Sequence, residues 1–296
     1  MNESEGPSGV VVVDKPAGMT SHDVVDIVRK KLGTRRVGHA GTLDPDATGV
    51  LVVGVGRATR LLDYAQSAPK RYEAVARFGL STATQDASGE VTVRRPCTFG
   101  RPDLESTVGA FLGEIEQIPP MVSAVKVRGE RLYQKARRGE EVERPARSAT
   151  IYRLELIEFF EESAGPGAVF DVTCSAGTYV RTLVNDIGER LGCGAHLVSL
   201  RRTEAGGFTE RDAVSLDELS DRSLLPASAA VRVLPDVSLD SETAKLVGHG
   251  RPIPVPAVTT ELGEGDAVAL HSEGRLLGVY RRRGSSLVAE RVVSPA

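Results

Sequence analysis

The stretch RRVGHAGTLDPDATGVLVVGVGRATR occupies residues 35–60 and places a polar, glycine-containing loop directly before an apolar run. That run, VLVVGVG at residues 50–56, predicts a buried β-strand. Its glycines would let another backbone approach closely. Gly41, Pro45 and Gly49 predict an irregular turn around the two aspartates of the loop. The stretch therefore predicts a rigid loop anchored at the start of a core strand.

Three kinds of site are compatible with this loop. GVGRAT at residues 54–59 follows a strand, as a phosphate-binding loop does, but the third glycine of GxGxxG is absent. Asp44, Asp46 and His39 offer ligands for a divalent cation, without an EF-hand or HExxH pattern beside them. The third kind is a single carboxylate held rigidly at a cleft. By composition alone, a role as a turn residue explains Asp44 at least as well as a role as this carboxylate. Asp46 is interpreted as a turn residue.

The chain as a whole has the composition of an ordinary globular protein. Its 296 residues are enough for two domains, and 41% of them are hydrophobic and 26% charged. We find no signal-peptide pattern at the N-terminus and no apolar run of the roughly 18 residues that a membrane helix needs. Three cysteines without a CxxC pair favour reduced thiols over disulfides or a zinc site. We therefore expect a cytoplasmic protein.

Charge is distributed unevenly along the chain. The formal net charge is −3, yet residues 118–147 contain eight basic and four acidic side chains. A second basic group at residues 29–36 leads into the loop quoted above. Because phosphates are bound by local patches rather than by net charge, both segments are candidates for contact with a nucleic acid. Two solvated charged faces explain the same pattern equally well.

Hydrophobic periodicity predicts both strands and helices. An apolar run from Gly9 predicts a buried strand, and Ser21 is the predicted N-cap of the following helix. Residues 70–79 alternate between apolar and charged side chains, as in a half-buried strand. Residues 101–120 predict a short helix stopped by the two prolines at its end. After residue 226 short β-type runs dominate, which predicts a small β domain beyond a boundary near residues 226–235.

The segment TYVRTLVNDIGERLG at residues 178–192 predicts a strongly amphipathic helix that Gly192 ends. Arg181 falls in its first turn, where a cation opposes the helix dipole by about 0.3–1 kcal/mol at an exposed site. Either an anion lies nearby, or Arg181 is a surface side chain that tolerates this small cost. Two interpretations are also open for Tyr179 and Tyr72, because each side chain can either stack on a base or pack within the protein.

Five motifs of the chain resemble the bacterial tRNA pseudouridine-55 synthase family, the TruB class, and occur in that family's order. They are DKPAGMTSHDVV, GHAGTLDPDATGVL, KRYEAVARFG, QIPPMVSAVKVRGERLYQKARRG and CSAGTYVRTLVNDIGERLGCGAHLVSLRRT. Together they span roughly residues 9–210. The C-terminal portion is similar in position and β character to the small PUA-like RNA-binding domain of that family.

The resemblance implies an α+β fold in which a mixed, largely antiparallel sheet is flanked by helices. We accordingly predict a catalytic domain at residues 1–228 and a PUA-like RNA-binding β domain at residues 229–296. An inserted thumb lobe that grips RNA is implied at about residues 119–147. The basic side chains expected to contact RNA there are Lys126, Arg128 and Arg131.

The implied reaction converts one uridine of the tRNA T-loop, at position 55, to pseudouridine. The N1–C1′ glycosidic bond breaks, the uracil turns in the pocket, and a C5–C1′ bond forms. The target must first be extruded from its loop. The resemblance implies tRNA as the partner and a chain that acts as a monomer, with no metal, cofactor, required protein partner or membrane.

The essential catalytic group of the family falls on Asp44, and Arg181 is implied as its ion-pair partner. A carboxylate near C1′ can act as nucleophile or stabilise developing positive charge. An arginine beside it would keep the carboxylate ionised and oriented. The sequence leaves open whether Asp44 attacks C1′ or first removes a 2′ proton, and which group removes the proton from C5.

Four further residues are implied to bind the extruded nucleotide. His39 is expected beside it, Tyr72 against the target ring, Tyr179 in the pocket, and Leu200 as an apolar wall. Two other classes of function stay open: an RNA-binding module without turnover, and a metal-dependent glycosyl-transferring enzyme that uses the Asp-Pro-Asp segment. The intact set of catalytic aspartate, tyrosine and arginine argues against a module that has lost its activity.

Overall fold

A computed structural model describes residues 6–120, 126–127, 130–131, 138, 142, 144–163, 165–256 and 262–293 of the chain. These residues form five α-helices and eighteen β-strands. The helices are α1 (Ser21–Lys31), α2 (Leu62–Ser67), α3 (Arg101–Gly109), α4 (Val180–Arg190) and α5 (Ser241–Gly248).

The strands lie between and after these helices along the chain. The first nine are β1 (Gly9–Lys15), β2 (Val37–His39), β3 (Thr48–Val55), β4 (Lys70–Phe78), β5 (Leu80–Thr82), β6 (Val91–Arg94), β7 (Gly113–Gln117), β8 (Lys126–Val127) and β9 (Glu130–Arg131). The others are β10 (Arg147–Glu162), β11 (Gly165–Cys174), β12 (Ala195–Ala205), β13 (Phe208–Thr209), β14 (Asp236–Ser238), β15 (Ile253–Pro254), β16 (Ala267–Ser272), β17 (Arg275–Arg283) and β18 (Ser286–Val292).

Backbone contacts divide the chain into two compact units. The first contains residues 1–45, 50–68 and 205–296, and the second contains residues 46–49 and 69–204. β3 contributes to both, because its first two residues lie in the second unit. The two sequence domains expected on either side of residue 228 stay a prediction.

In the first unit, β3 lies beside β1 and pairs in antiparallel fashion with β2. Val50 and Val52 of β3 belong to one apolar cluster, and Leu51 and Val53 belong to another that includes the apolar side of α1. Successive side chains of a strand point to opposite faces, so a strand covered on both faces needs a continuous apolar run. The buried strand predicted from VLVVGVG is therefore confirmed.

The N-cap of α1 is Thr20 rather than the predicted Ser21. Thr20 Oγ1 accepts a hydrogen bond from the backbone N–H of Asp23 at 3.1 Å, and the Asp23 carboxylate accepts one from the N–H of Thr20 at 2.8 Å. This reciprocal pair is a capping box. The prediction was wrong because the Ser21 hydroxyl is buried against Leu43, where it has a different role.

The C-terminal part of the first unit forms a five-stranded sheet in the order β14-β16-β17-β18-β15. Helix α5 packs with this sheet in one apolar cluster that includes Val247 and Tyr280. The Tyr280 hydroxyl is buried and donates to the carbonyl of Val247 at 2.9 Å. The β-rich C-terminal segment expected from the sequence is therefore present.

The second unit is built on a sheet in the order β12-β4-β11-β10-β7. Strands β4, β11, β10 and β7 are each antiparallel to the next. The start of β3 adds to β12 in parallel, where Thr48 and Gly49 pair with Arg201 and Arg202. The predicted α+β class, with a mixed and largely antiparallel sheet, is confirmed.

The helix predicted over residues 101–120 is too long. Helix α3 ends at Gly109, and Gly113–Gln117 forms β7, which pairs with the start of β10. Gly113 has a φ of 90°, a conformation that glycine adopts readily and that begins this strand. Pairing with β10 therefore outweighs local helix preference, and the two prolines follow a strand rather than a helix.

Helix α4 agrees with its prediction. Leu183, Val184 and Ile187 are buried at helical spacing, and Gly192 follows the helix with a φ of 80°. The first turn of α4, which contains Arg181, therefore belongs to a helix whose apolar side is buried.

In the described ranges of the chain, no helix combines the length and apolar character needed to cross a membrane.

Candidate functional site

A buried lysine fixes the backbone that follows Asp44. Lys15, at the end of β1, is 0% exposed. Its Nζ donates to the carbonyls of Pro16, Met19 and Pro45 at 2.8, 2.7 and 2.8 Å. Three acceptors match the three N–H groups of an ammonium. The peptide next to Asp44 is therefore bound to the DKPAG turn of the first motif.

The backbone that precedes Asp44 is fixed by α1. The Ser21 hydroxyl donates to the carbonyl of Leu43 at 3.2 Å and accepts from the N–H of Leu43 at 2.9 Å. Both residues are buried, while Asp44 itself is half-buried. Asp44 thus lies between two clamped neighbours, Leu43 and Pro45, and this arrangement suits a carboxylate that must keep one position.

The end of the loop requires glycine. Gly49 has a φ of 100°, and a Cβ at this position would overlap the backbone of Arg202. Positive φ is strained for other residues, and the close approach leaves no room for a side chain. The prediction that Gly49 shapes this turn is confirmed. Asp46 lies in the preceding turn and is exposed, in agreement with its interpretation as a turn residue.

His39 occupies the end of β2, in the same unit as Asp44. It pairs with Val53 across the β2–β3 ladder and is half-buried. The imidazole of His22 lies edge-on to it, with ring centroids 5.3 Å apart and an interplanar angle of 81°. His39 is therefore held by both its backbone and a ring contact.

In the second unit, Tyr72 lies on the buried side of β4. Lys70, two residues earlier, is on the same face and is also buried. Burial, together with the charge of Arg202, lowers the pKa of Lys70 to about 8, while the neighbouring Cys174 opposes this shift. Perturbed groups of this kind cluster at functional sites. The KRY motif therefore places Tyr72 on the same face of β4 as a buried lysine whose pKa is lowered.

Arg181 is a buried cation rather than a surface side chain. It is 4% exposed, and its Nη1 donates to the Asp86 carboxylate and to the carbonyl of Thr84, both at 3.1 Å. The interpretation of Arg181 as an exposed arginine at a helix start is therefore wrong. The anion that offsets the helix dipole in this unit is Asp86, which the sequence did not single out.

Asp86 is itself held by a tight turn. Its Oδ1 accepts from the hydroxyls of Thr84 and Ser88, each at 2.6 Å, and from the Ser88 N–H at 3.1 Å. Burial alone would raise the pKa of Asp86, but these hydrogen bonds and the charge of Arg181 lower it below its usual value. The carboxylate is therefore ionised and oriented where Arg181 meets it.

The turn that carries Asp86 is also bound to α4. Gln85 has a φ of 64°, which is uncommon outside glycine, and its side chain accepts from the Thr182 hydroxyl at 2.8 Å. The Gln85 carbonyl accepts from the N–H of Leu197 on β12 at 3.0 Å. An unusual backbone conformation is retained only where its surroundings stabilise it. The sequence signal for this turn is weak, because TQDASG has the composition of an ordinary polar loop.

Tyr179 and Leu200 are both half-buried in the second unit. The N–H of Tyr179 donates to Gln117 at 3.0 Å, and its carbonyl accepts from the Gln117 amide at 3.2 Å, which fixes the residue before α4. Leu200 lies on β12 after the exposed residues Val198 and Ser199. Asp44 and His39 belong to the first unit, so their convergence with these residues stays a prediction.

The predicted thumb falls partly outside the described residues. Lys126 and Arg131 lie on the two short strands β8 and β9, which pair in antiparallel fashion with Lys126 opposite Arg131. Arg128 lies outside the described residues.

Within the described ranges, no three His, Cys, Asp or Glu side chains are grouped as a metal site would require.

Two family models match consecutive parts of the chain. TruB family pseudouridylate synthase (N terminal domain) matches residues 29–180, and tRNA pseudouridylate synthase B C-terminal domain matches residues 181–244. The chain is 48% identical over 286 residues to tRNA pseudouridine synthase B of Thermobifida fusca (strain YX), covering 94% of this chain and 96% of that protein. It is 46% identical over 301 residues to the protein of the same name from Moorella thermoacetica, covering 95% of this chain and 97% of that protein.

Solved structures agree with these matches. The "Crystal Structure of a Cbf5-Nop10-Gar1 Complex" contains a chain with a TM-score of 0.75 at 28% identity, covering 99% of this chain and 87% of that one. The "Structure of H/ACA RNP bound to a substrate RNA containing 2'-deoxyuridine" gives a TM-score of 0.72 at 27% identity, covering 97% and 85% respectively. By sequence and by fold, the chain belongs to the TruB family of pseudouridylate synthases.

Proposed function

We propose that this protein isomerises uridine to pseudouridine in tRNA, at position 55 of the T-loop, with Asp44 as its catalytic carboxylate. The observation that carries the proposal is the double clamp on the Asp44 loop by Lys15 and Ser21, in a chain of this family. A relative 48% identical to this chain is named tRNA pseudouridine synthase B, which supports tRNA as the substrate.

The reaction leaves the composition of the nucleotide unchanged. The N1–C1′ bond breaks, the uracil turns, C5 bonds to C1′, and the hydrogen of C5 leaves as a proton while N1 gains one. A carboxylate at the sugar either attacks C1′ or stabilises its developing positive charge. Asp44 supplies this carboxylate, and the positive charge of Arg181 favours its ionised form.

The remaining predicted residues bind the extruded uridine. Tyr72 stacks on the target ring and offsets part of the unstacking cost, and Leu200 covers the uracil from its apolar side. His39 braces the Asp44 loop or fills the space that the extruded nucleotide leaves, and Tyr179 lines the pocket. We further infer that the protein acts in the cytoplasm, as a monomer and without a protein partner.

Tritium release tests the reaction directly. A tRNA T-arm labelled at uridine C5 is incubated with the native protein, and tritium in water is counted. We expect release by the native protein and none by Asp44→Asn, with tRNA binding largely kept. The control is Asp46→Asn, an exposed residue of the same loop, which we expect to retain its rate.

Two results would contradict the proposal. Substantial turnover by Asp44→Asn would exclude the Asp44 carboxylate as the essential catalytic group. Equal losses in Asp44→Asn and Asp46→Asn would favour the metal-dependent alternative that uses both carboxylates. Undiminished tritium release in excess chelator would remove that alternative independently.

A further inference from the structure

Two of the three cysteines lie against the same glycine in the second unit. All three carry free thiols: Cys193 is buried, Cys97 is half-buried, and Cys174 is buried at the end of β11. The Cys193 thiol and the Gly79 N–H both donate to the carbonyl of Gly194, with Sγ at 3.4 Å and N at 3.0 Å from its oxygen. The Cys97 Sγ lies 3.2 Å from the position that a Cβ on Gly79 would occupy.

The two thiols also contact each other. The Cys97 side chain is a hydrogen-bond partner of the Cys193 thiol. Glycine at residue 79, whose φ is 93°, suits this contact because it leaves room for the Cys97 sulfur. Burial raises the pKa of the Cys193 thiol to about 12, and the neighbouring Cys97 adds to this shift. Cys193 is therefore a poor nucleophile toward molecules in solution, yet it lies beside a second sulfur.

The two cysteines follow two elements that the fold already joins. Cys97 follows the β5–β6 hairpin, whose loop carries Asp86, and Cys193 follows α4, whose first turn carries Arg181. The ion pair between Arg181 and Asp86 connects the helix and the hairpin near the start of α4. A bond between the two sulfurs would connect them beyond its other end.

The backbone near both sulfurs is held by an acidic residue in the last turn of α4. This residue, Glu189, accepts from Nη1 of Arg95 at 2.9 Å and from the Ser81 hydroxyl at 3.3 Å. A disulfide needs an S–S distance of about 2.05 Å and accepts only a narrow range of backbone geometry. Because the hairpin and the helix end are already in contact, the two sulfurs can reach this distance without a rearrangement of either element.

A cavity of about 460 Å³ gives a small molecule access to Cys97. Its volume is within the range of small-molecule sites. Cys97 lines it with Phe78, whereas Cys193 is not among the described residues that do so. Arg94 and Glu161 contribute opposite charges to the same cavity, which suits a small zwitterionic molecule better than a polyanion. An incoming molecule therefore meets Cys97 first.

We propose that Cys97 and Cys193 form a redox-active pair that a low-molecular-weight disulfide oxidises to an intrachain disulfide, which fastens the β5–β6 hairpin to the end of α4. This inference does not depend on the proposed function. Disulfides in reducing compartments are mostly transient and redox-sensing, and a reversible bond of this kind agrees with the free thiols of the structure.

The oxidation proceeds by two thiol–disulfide exchanges. The Cys97 sulfur, after losing its proton, attacks one sulfur of the small disulfide and expels a thiolate, which takes up a proton. The Cys193 sulfur, after losing its own proton, then attacks Cys97 and expels the second small thiol. Two S–H bonds of the protein and one S–S bond of the oxidant become one S–S bond of the protein and two small thiols. The protein loses two electrons and the oxidant gains them.

The native, folded protein is tested in mixtures of glutathione and glutathione disulfide. After equilibration the thiols are trapped with acid and alkylated, and peptide mass spectrometry assigns the state of each cysteine. We expect Cys97 and Cys193 to lose their thiols together and to appear as one linked peptide pair, while Cys174 stays alkylated. Dithiothreitol should restore both thiols.

Three single variants separate the two steps. Cys193→Ala should stop the reaction after the first exchange, so that Cys97 carries one glutathione. Cys97→Ala should leave Cys193 as a thiol, because that sulfur is buried. The matched control is Cys174→Ala, which also loses a buried thiol and should form the same disulfide as the native protein.

The native protein alone can overturn the proposal, even if a variant does not fold. Glutathione attached to Cys97 at every mixture, with Cys193 still a thiol, would overturn it. A Cys97–Cys193 bond that forms only in urea, or only between two chains, would do the same. The oxidised protein should also unfold at a higher urea concentration than the reduced protein, because the bond closes a long loop of the unfolded chain. A lower midpoint would show that the bond distorts the fold and would exclude the fastening role.

Discussion

The buried guanidinium of Arg181 and the partly exposed carboxylate of Asp86 form an ion pair, with Nη1 and Oδ2 separated by 3.1 Å. Removing one partner of such a pair leaves an uncompensated charge in the interior, which is strongly destabilising. The pair therefore provides a fixed cation that helix α4 and the Thr84–Asp86 turn hold jointly. In the proposed mechanism the same guanidinium also orients Asp44.

Asp86→Asn should lower kcat by about 10- to 100-fold, because Arg181 loses the charge that fixes its position and small displacements are costly in catalysis. Asp86 is a positioning residue, so the tRNA dissociation constant should change little. Single-turnover tritium release and filter binding measure the two effects separately. A variant with a normal kcat would show that Arg181 is held adequately without the Asp86 carboxylate.

The matched control for this variant is Asp171→Asn. Asp171 also has an arginine partner, Arg71, whose Nε and Nη2 donate to it at 2.7 and 2.6 Å. This pair makes no described contact with Arg181, so its loss should reduce stability without a comparable fall in kcat. Equal losses of kcat in the two variants would mean that general destabilisation explains the effect of Asp86→Asn.

The Arg71–Asp171 pair also predicts a dependence of stability on pH. Hydrogen bonding from Arg71 is the main reason that the pKa of Asp171 is lowered, although burial opposes it. A carboxyl with a lowered folded-state pKa adds stability that is present above its unfolded pKa of about 3.9 and is lost as the pH falls through the folded value.

Urea unfolding at pH 7 should therefore show Asp171→Asn to be less stable than the native protein by about 1–2 kcal/mol. The difference should shrink as the pH is lowered below about 4, because the unfolded carboxyl is protonated first and the native carboxylate only at a still lower pH. A difference that stays constant from pH 7 to pH 3 would show that packing, not charge, makes Asp171→Asn unstable.

The elements that the sequence predicted well are those set by their own periodicity. β3 has a continuous apolar run because both of its faces are buried, and β4 alternates because only one face is. Helix α4 places its buried residues at helical spacing. The predicted extent of α3 was wrong because β7 depends on pairing with β10, thirty or more residues away in sequence.

Site residues that belong to a motif could be predicted from the sequence. Residues that join the site only through contacts between distant parts of the chain could not. Asp44 and Arg181 were named from the resemblance, whereas Asp86 lies 95 residues from Arg181 in sequence and in a loop of ordinary polar composition. Ser21 was assigned to a helix cap because its local sequence suits one. Only the fold reveals that its hydroxyl binds Leu43 instead.

Basic residues of the predicted thumb should contribute to tRNA affinity. Lys126 and Arg131 are register partners on β8 and β9, so the pairing brings two basic positions to one rung of this ladder. Replacing both with Gln, together with Arg128→Gln, should weaken tRNA binding and flatten its salt dependence. Filter binding at several salt concentrations measures this, and an unchanged slope would show that the thumb assignment is wrong.

The clamp on the Asp44 loop can be tested at neighbouring residues of α1 that differ in what they contact. Ser21→Ala removes both hydrogen bonds to the Leu43 backbone and leaves the buried N–H and carbonyl of Leu43 unsatisfied. This should lower the free energy of unfolding by about 1–3 kcal/mol. Thr20→Ala removes the N-cap of the same helix and costs about 1 kcal/mol, without touching the loop.

Both variants should therefore lower the free energy of unfolding by similar amounts, while only Ser21→Ala displaces the catalytic carboxylate. We expect kcat to fall by roughly tenfold or more in Ser21→Ala and by much less in Thr20→Ala, measured at a temperature where both are folded. The tRNA dissociation constant should change little in either variant. Parallel losses of kcat in the two variants would mean that the helix start, rather than the hydroxyl on Leu43, positions Asp44.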